Sequence, residues 1–375
     1  MADSGSKNKT FFPPVRGRGT LDNPDGRFES TKHIYDAENY ENLCQISEEM
    51  EDGSQIRTEV LPDTSRSIVT DVDSPDVGIE STINPYRGCE HGCIYCYARP
   101  SHEYLGMSAG LDFETKIFVK EKAPELLVQK LQSKSWKPKV LTLSGITDPY
   151  QPVERKLEIT RKCFEVLRDF KNPALVITKN HLVTRDIDIF QEMAVYQTIG
   201  INLSITTLDA ELCRHMEPRT SHPLKKLKAV EELAKVGIPV GIMMGPILPG
   251  LTDHEIPAIL KSAADAGAQN ANYTMLRLPY GVKDLFHDWV YEHYPNRAGK
   301  ILNRMREMYE GKLYNAEFGT RMRGRGIFAQ QIANMFSLYK KKYNLNRPFK
   351  LSTSGFDKTA RDAQLSLFYF SRNYF

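Results

Sequence analysis

The sequence predicts an α/β fold, an open or partial (β/α)6 barrel, with an irregular N-terminal arm and a basic helical C-terminal extension. Three observations predict it. Six short apolar or alternating runs, rich in β-branched residues, recur between Ser81 and Leu278. Helix-period segments separate them, and two of these stop at Gly237 and Gly267. A cysteine-rich loop follows the first run, where a parallel barrel carries its site residues.

Residues 1–75 read as an arm. Pro, Gly, Ser and charge dominate it, with Phe11-Phe-Pro-Pro14 and Arg16-Gly-Arg-Gly19 near its start. This composition predicts partial disorder, a short turn around Tyr40–Ile46, and a path that wraps the body. Arg16 and Arg18 read as a solubilising tail, with phosphate contact as the alternative. The barrel is assigned to residues 76–280. Its strands are expected at Ile83–Arg87, Val140–Leu143, Ala174–Thr178, Ile199–Thr206, Ile238–Met244 and Ala271–Leu278. Helices are expected at Ala123–Gln132, Arg155–Arg168, Asp186–Tyr196, Leu224–Val236 and Asp253–Ala266. Residues 281–350 form a basic helical segment, with helices at Arg297–Tyr309 and Ile327–Tyr343, and residues 351–375 form a tail.

A chain of 375 residues that is 41% hydrophobic and 10% aromatic can bury a large core. No apolar run approaches the roughly 20 residues of a membrane span. Met1 opens a polar stretch without signal-peptide character, so a cytoplasmic location is expected. The net charge of +3 hides an asymmetry: residues 1–80 hold 8 basic and 17 acidic residues, whereas residues 297–350 hold 13 basic and 3 acidic. The late segment therefore suits a polyanionic partner, or is a solvated helix face.

Cys89, Cys93 and Cys96 follow the first strand at C-x3-C-x2-C spacing. Three thiols so close cannot all pair as disulfides. A closed zinc site needs four ligands, and His91 is a cramped candidate for the fourth. A cubane iron–sulfur cluster takes cysteine thiolates at its corners, and three of them leave one iron open for a substrate. With Tyr95 just before the third cysteine, the loop resembles the signature of the radical S-adenosylmethionine (SAM) enzymes. That resemblance implies a 4Fe-4S cluster whose open iron chelates SAM, and reductive cleavage of SAM to a 5′-deoxyadenosyl radical.

The strand ends extend the pattern. Ser144-Gly-Ile-Thr-Asp148 follows the second strand, Thr178-Lys179 ends the third, and Ser204 and Thr206 share a face of the fourth. Gly145 permits close backbone approach. Ser144, Gly145, Lys179 and Ser204 are the candidate SAM contacts, with Lys179 expected at the SAM carboxylate. These segments, with Glu217-Pro218 and Ala234-Lys-Val-Gly-Ile-Pro-Val-Gly241, are similar to the spore photoproduct lyase, or DNA repair photolyase-like, family over roughly residues 80–345. The resemblance implies a partial (β/α)6 radical SAM barrel and a DNA-repair lyase chemistry. It implies hydrogen relay by Tyr95 and Tyr97. The family's donor cysteine falls at Gly145 here, which leaves Cys213 or a tyrosine as the substitute candidate, or a different reaction, and puts the family's own reaction in question.

Partners follow from the C-terminal third. Arg321, Arg323 and Arg325 alternate with glycine and are candidate phosphate contacts to DNA or RNA. Gln364-Leu365-Ser-Leu367-Phe368 resembles the pentapeptide that docks on the bacterial DNA sliding clamp; the alternative is an aromatic tail folded back onto the body. A low-potential electron donor such as flavodoxin or ferredoxin is implied by the cluster. Three readings stand: a radical SAM enzyme acting on nucleic acid, one acting on a peptide or small molecule, or a metal-containing, DNA- or clamp-associated binding protein.

Overall fold

The strands form where the sequence is apolar on both sides of the chain, as parallel sheets covered on two faces require. The computed structural model describes residues 17–20, 23–28 and 56–360. Its strands are β1 (Glu59–Pro62), β2 (Val69–Asp71), β3 (Ser81–Ile83), β4 (Tyr86–Arg87), β5 (Lys116–Val119), β6 (Leu141–Leu143), β7 (Ala174–Thr178), β8 (Ile199–Ser204), β9 (Val240–Ile247) and β10 (Asn270–Met275). The larger sheet runs β10-β9-β8-β7-β6-β3-β2. From β3 to β10 its neighbours are parallel and follow sequence order, with Ile83 opposite Leu143 and Thr178 opposite Leu203. Strand β2 closes one edge antiparallel to β3. Sequential parallel strands joined by helical crossovers curl into a mostly parallel α/β sheet, as a partial barrel does.

Helices at Ala123–Gln132, Ile159–Asp169, Ile187–Val195, Pro223–Lys235 and Ile256–Asp265 supply the crossovers. The fourth shows the local logic. Pro223 occupies its first turn, the His222 imidazole accepts from Leu224 N–H, and Gly237 turns the chain away in the left-handed region. Ala229, Val230 and Leu233 are its buried face. Among the described residues, no helix is long and apolar enough to cross a membrane.

Several expectations need correction. The first strand divides: Ser81–Ile83 joins the barrel sheet, whereas Tyr86–Arg87 joins a separate sheet of order β1-β5-β4. The expected helix Arg155–Arg168 breaks at Glu158, which lies at φ 53°, because the Glu154 carboxylate accepts from Thr160 N–H and starts a new helix there. The arm is structured from residue 56 onward, where β1 pairs with β5 and β2 with β3. The turn expected at Tyr40–Ile46, Arg16 and the pentapeptide Gln364–Phe368 lie outside the described residues.

The C-terminal chain also does structural work. The helix Gly326–Lys342 packs on Ile256–Asp265, and Asn346 then bridges to Asn270 at the β10 edge. Phe349 lies over Gly200 and Gly241, near the N-terminal ends of β8 and β9; a Cβ at Gly200 would come within 2.6 Å of its ring. An aromatic ring thus fills the end of the sheet opposite the cysteine loop.

Candidate active site

The cysteine loop leaves β4 and is held from below by a buried carboxylate. Glu114 is fully buried and pairs with the equally buried Arg99 at 2.5 Å. Arg99 donates to the Cys93 carbonyl at 2.9 and 3.0 Å, and to the carbonyls of Ala109 and Gly110. Glu114 also accepts from the Gly19 and Thr20 N–H groups and from the Thr20 hydroxyl. Gly19 presses against Gly92 so closely that a Cβ would fall 1.7 Å from the Gly92 carbonyl oxygen. Arg18, expected at solvent or phosphate, is instead buried and donates to the Glu114 and Ile56 carbonyls. Cys93, Ile94 and Tyr95 form one apolar cluster with Leu212, Met216 and Leu276.

Cys89, Cys93 and Cys96 line one cavity of about 560 Å³. Burial holds all three thiols above the ordinary cysteine range, a state that metal coordination reverses because the metal takes the thiolate. Among the described residues, no three His, Cys, Asp or Glu side chains stand close enough to grip a single ion. Thiolates that each take a separate iron of a cubane stand further apart than the ligands of one ion. His91, the candidate fourth zinc ligand, instead faces Asp148 at 3.3 Å and Asn180 at 3.2 Å.

The strand ends converge on the same cavity. Ser144, Gly145, Lys179 and Ser204 all line it, beside Tyr95 and Tyr97. Asp148 ties the corner together, accepting from the Thr178 hydroxyl and the Lys179 N–H at 2.7 Å each. Gly145 has φ 118°, and its carbonyl accepts from the Tyr97 hydroxyl at 2.5 Å. A Cβ at Gly145 would stand 3.3 Å from Thr82 Cγ2. Restoring a cysteine by Gly145→Cys should therefore destabilise the corner by about 1–2 kcal/mol. Thermal unfolding checks this, and an unchanged melting temperature would contradict it.

Lys179 does not present the free ammonium expected for a SAM carboxylate. Its Nζ lies 2.7 Å from Ser204 Oγ, 2.9 Å from the Gly245 carbonyl and 3.2 Å from Glu217 Oε1. Burial lowers its pKa, but its acidic neighbours, Glu217 first among them, together outweigh burial and hold the ammonium above the usual lysine value. Glu217 also pairs with buried Lys226 at 2.6 Å, and accepts from the Thr206 and Tyr95 hydroxyls. Burial raises its pKa, yet the two lysines outweigh burial and leave the carboxyl well below its ordinary range.

The two tyrosines differ. Tyr95 is buried against Glu217, whereas Tyr97 is 47% exposed with the Arg277 guanidinium 4.9 Å from its ring centre. Cys213 is not brought to the cavity lining: it sits in the helix Ala210–Met216, with its Sγ 3.8 Å from Glu217 Oε2.

The three late arginines separate likewise. Arg321 is taken by Asp76 at 2.6 Å and by Ser74, and Arg325 by Glu310 and Glu317. Two of the three candidate phosphate contacts are thus already engaged by acidic side chains of this chain. Arg323 lines the cavity over the Tyr273 ring, with no carboxylate partner among the described residues. Arg277, missed from the sequence, also lines the cavity, and its buried Nε has no partner among the described residues. The strand expected at Ala271–Leu278 includes it; the strand in fact ends at Met275, and Arg277 stands two residues beyond it, at the rim where a barrel carries its site residues.

The radical SAM superfamily model matches residues 83–263. An uncharacterized protein of Mycobacterium tuberculosis is 32% identical over 230 residues, covering 61% of this chain and 66% of that relative, just under two thirds of its length. Spore photoproduct lyase complexed with dinucleoside spore photoproduct matches with a TM-score of 0.54 at 16% identity, over 81% of this chain and 90% of that one. A mutant of spore photoproduct lyase gives 0.55 at 15% identity, over 78% and 82%. At such identities the likeness is one of fold.

Proposed function

We propose, for a chain that belongs to the radical SAM superfamily, that its substrate is a damaged or modified nucleotide within nucleic acid, processed in a lyase-like reaction. The superfamily brings a 4Fe-4S cluster and SAM. Three thiols on one cavity, beside a glycine whose side a Cβ would fill, fit both groups. When bound, they supply an organic radical that abstracts a hydrogen atom.

The remaining work falls to this chain. Cys89, Cys93 and Cys96 hold the cluster, and Arg99 fixes the carbonyl of the middle cysteine. Ser144, Gly145 and Ser204 offer polar and backbone groups to SAM, while Lys179 positions Ser204. Tyr97, half exposed and pinned through its hydroxyl, is the better-placed hydrogen relay; Tyr95 is held by Glu217. The observation that carries the nucleic-acid reading is the pair Arg277 and Arg323. Two guanidiniums with no carboxylate within 4.0 Å among the described residues, lining one cavity in which Asp76 is the acidic neighbour of Arg277, suit an added anion, and a phosphodiester meets both. The spore photoproduct lyase complex, whose ligand is a dinucleoside photoproduct, supports the same substrate class.

The test is anaerobic. Cluster-loaded protein, dithionite and SAM should yield 5′-deoxyadenosine, and Cys93→Ala should yield none above background. Ultraviolet-irradiated duplex should bind the parent protein. The Arg277→Ala/Arg323→Ala variant should bind it at least tenfold more weakly, with a salt slope reduced by about one per lost contact. Equal binding by both would transfer the reading to a peptide or small-molecule substrate.

A further inference from the structure

A second concavity of about 580 Å³ lies against the outer side of the cysteine loop. Glu90, between the first two cluster cysteines, forms part of its wall, and so does Asn180, which bonds His91. Arg219 crosses this wall: its N–H donates to the His91 carbonyl, and its guanidinium sits 3.3 Å from Glu90. The rim is cationic. Arg155, Lys156 and Lys225 are exposed there, and none has a carboxylate within 4.0 Å among the described residues. No residue lines both this concavity and the cavity of the three thiols.

We propose that this concavity is where an acidic one-electron carrier docks to reduce the cluster, an inference that rests on the radical SAM reading above. A reductively driven site needs an electron from outside to reach its reduced state. The carrier loses one electron and the cluster gains it; no bond is made and no proton moves. Its route must be short and must not obstruct the substrate. The outer side of the Cys89–His91 segment meets both needs. It is one residue from a cluster ligand and separated from the substrate cavity by the loop itself. Three unpartnered cations steer an acidic protein surface to it, speeding encounter at low salt. Nucleic-acid phosphates would meet the same charges, but the guanidiniums of Arg277 and Arg323, with no carboxylate within 4.0 Å among the described residues, belong to the other cavity.

The test uses the cluster-loaded full chain and its Lys156→Glu/Lys225→Glu variant. A purified flavodoxin, reduced to its hydroquinone, is mixed with each, and bleaching of the cluster absorbance is followed by stopped flow. The variant should be reduced at least tenfold more slowly by flavodoxin at low salt, at the same rate as the parent by dithionite, with the flavodoxin difference shrinking as salt rises. Equal flavodoxin rates would overturn the docking site while leaving the enzyme reading intact. So would a variant that keeps its flavodoxin rate but loses duplex affinity, since that marks a nucleic-acid face. Failure of dithionite to bleach either protein would remove the cluster reading and this proposal with it.

Discussion

Replacing Arg99 by leucine should cost about 3–5 kcal/mol of folding stability, because it strands a buried carboxylate. Arg99 and Glu114 are both fully buried, so water cannot replace the lost partner. Glu114 would keep only the Gly19 and Thr20 donors, and the carbonyls of Cys93, Ala109 and Gly110 would lose theirs. For a chain this long, thermal unfolding should shift downward by about 4–6 °C. The Arg99→Leu/Glu114→Met pair should recover part of the loss, since it removes both charges. Iron content after reconstitution should follow the same order. A single variant that melts within about 2 °C of the parent would show that the ion pair does not support the loop.

The second large effect is at Glu217. Glu217→Ala should cost at least about 3–5 kcal/mol, because it leaves Lys179 and Lys226 facing each other across a buried gap. The milder Glu217→Gln isolates the charge. Burial raises the Glu217 pKa but Lys179 and Lys226 lower it further, so the folded value lies below the unfolded one of about 4.3. The carboxylate's contribution is therefore fully present above about pH 4.3 and drains away as pH falls towards the folded value. In denaturant titrations from pH 7 to pH 3, the gap between parent and Glu217→Gln should narrow on acidification. A gap of constant width would mean that the ionised carboxylate contributes nothing through its charge.

The parts that were legible in the sequence are those encoded locally. The cysteine spacing, the apolar runs at β6, β7 and β8, and the Gly237 stop each occupy a few consecutive residues. Strands β1 and β5 were missed because each is only four residues long: β1 is mostly exposed, and β5 (Lys-Ile-Phe-Val) alternates in burial without alternating in polarity. The Glu217 network was unreadable for another reason: its partners come from residues 95, 179, 206 and 226, which nothing in the sequence brings together. The acidic partners of Arg321 and Arg325 went unread because basic residues were counted without their acids. Glu310 and Glu317, two of only three acidic residues in 297–350, both pair with Arg325.

The strap Gly17–Thr20 bears on how portable the cysteine loop is. A loop of this spacing, copied whole onto another barrel, would arrive without Glu114 and without the glycine that seats against Gly92. Its Cys93 carbonyl would lose Arg99's anchorage, because Arg99 is itself held by that same carboxylate. The transferable unit is thus the loop, its carboxylate and a piece of chain more than ninety residues upstream of that carboxylate. Grafts of the loop alone should assemble clusters poorly, and grafts that carry the strap as a separate peptide should assemble them better.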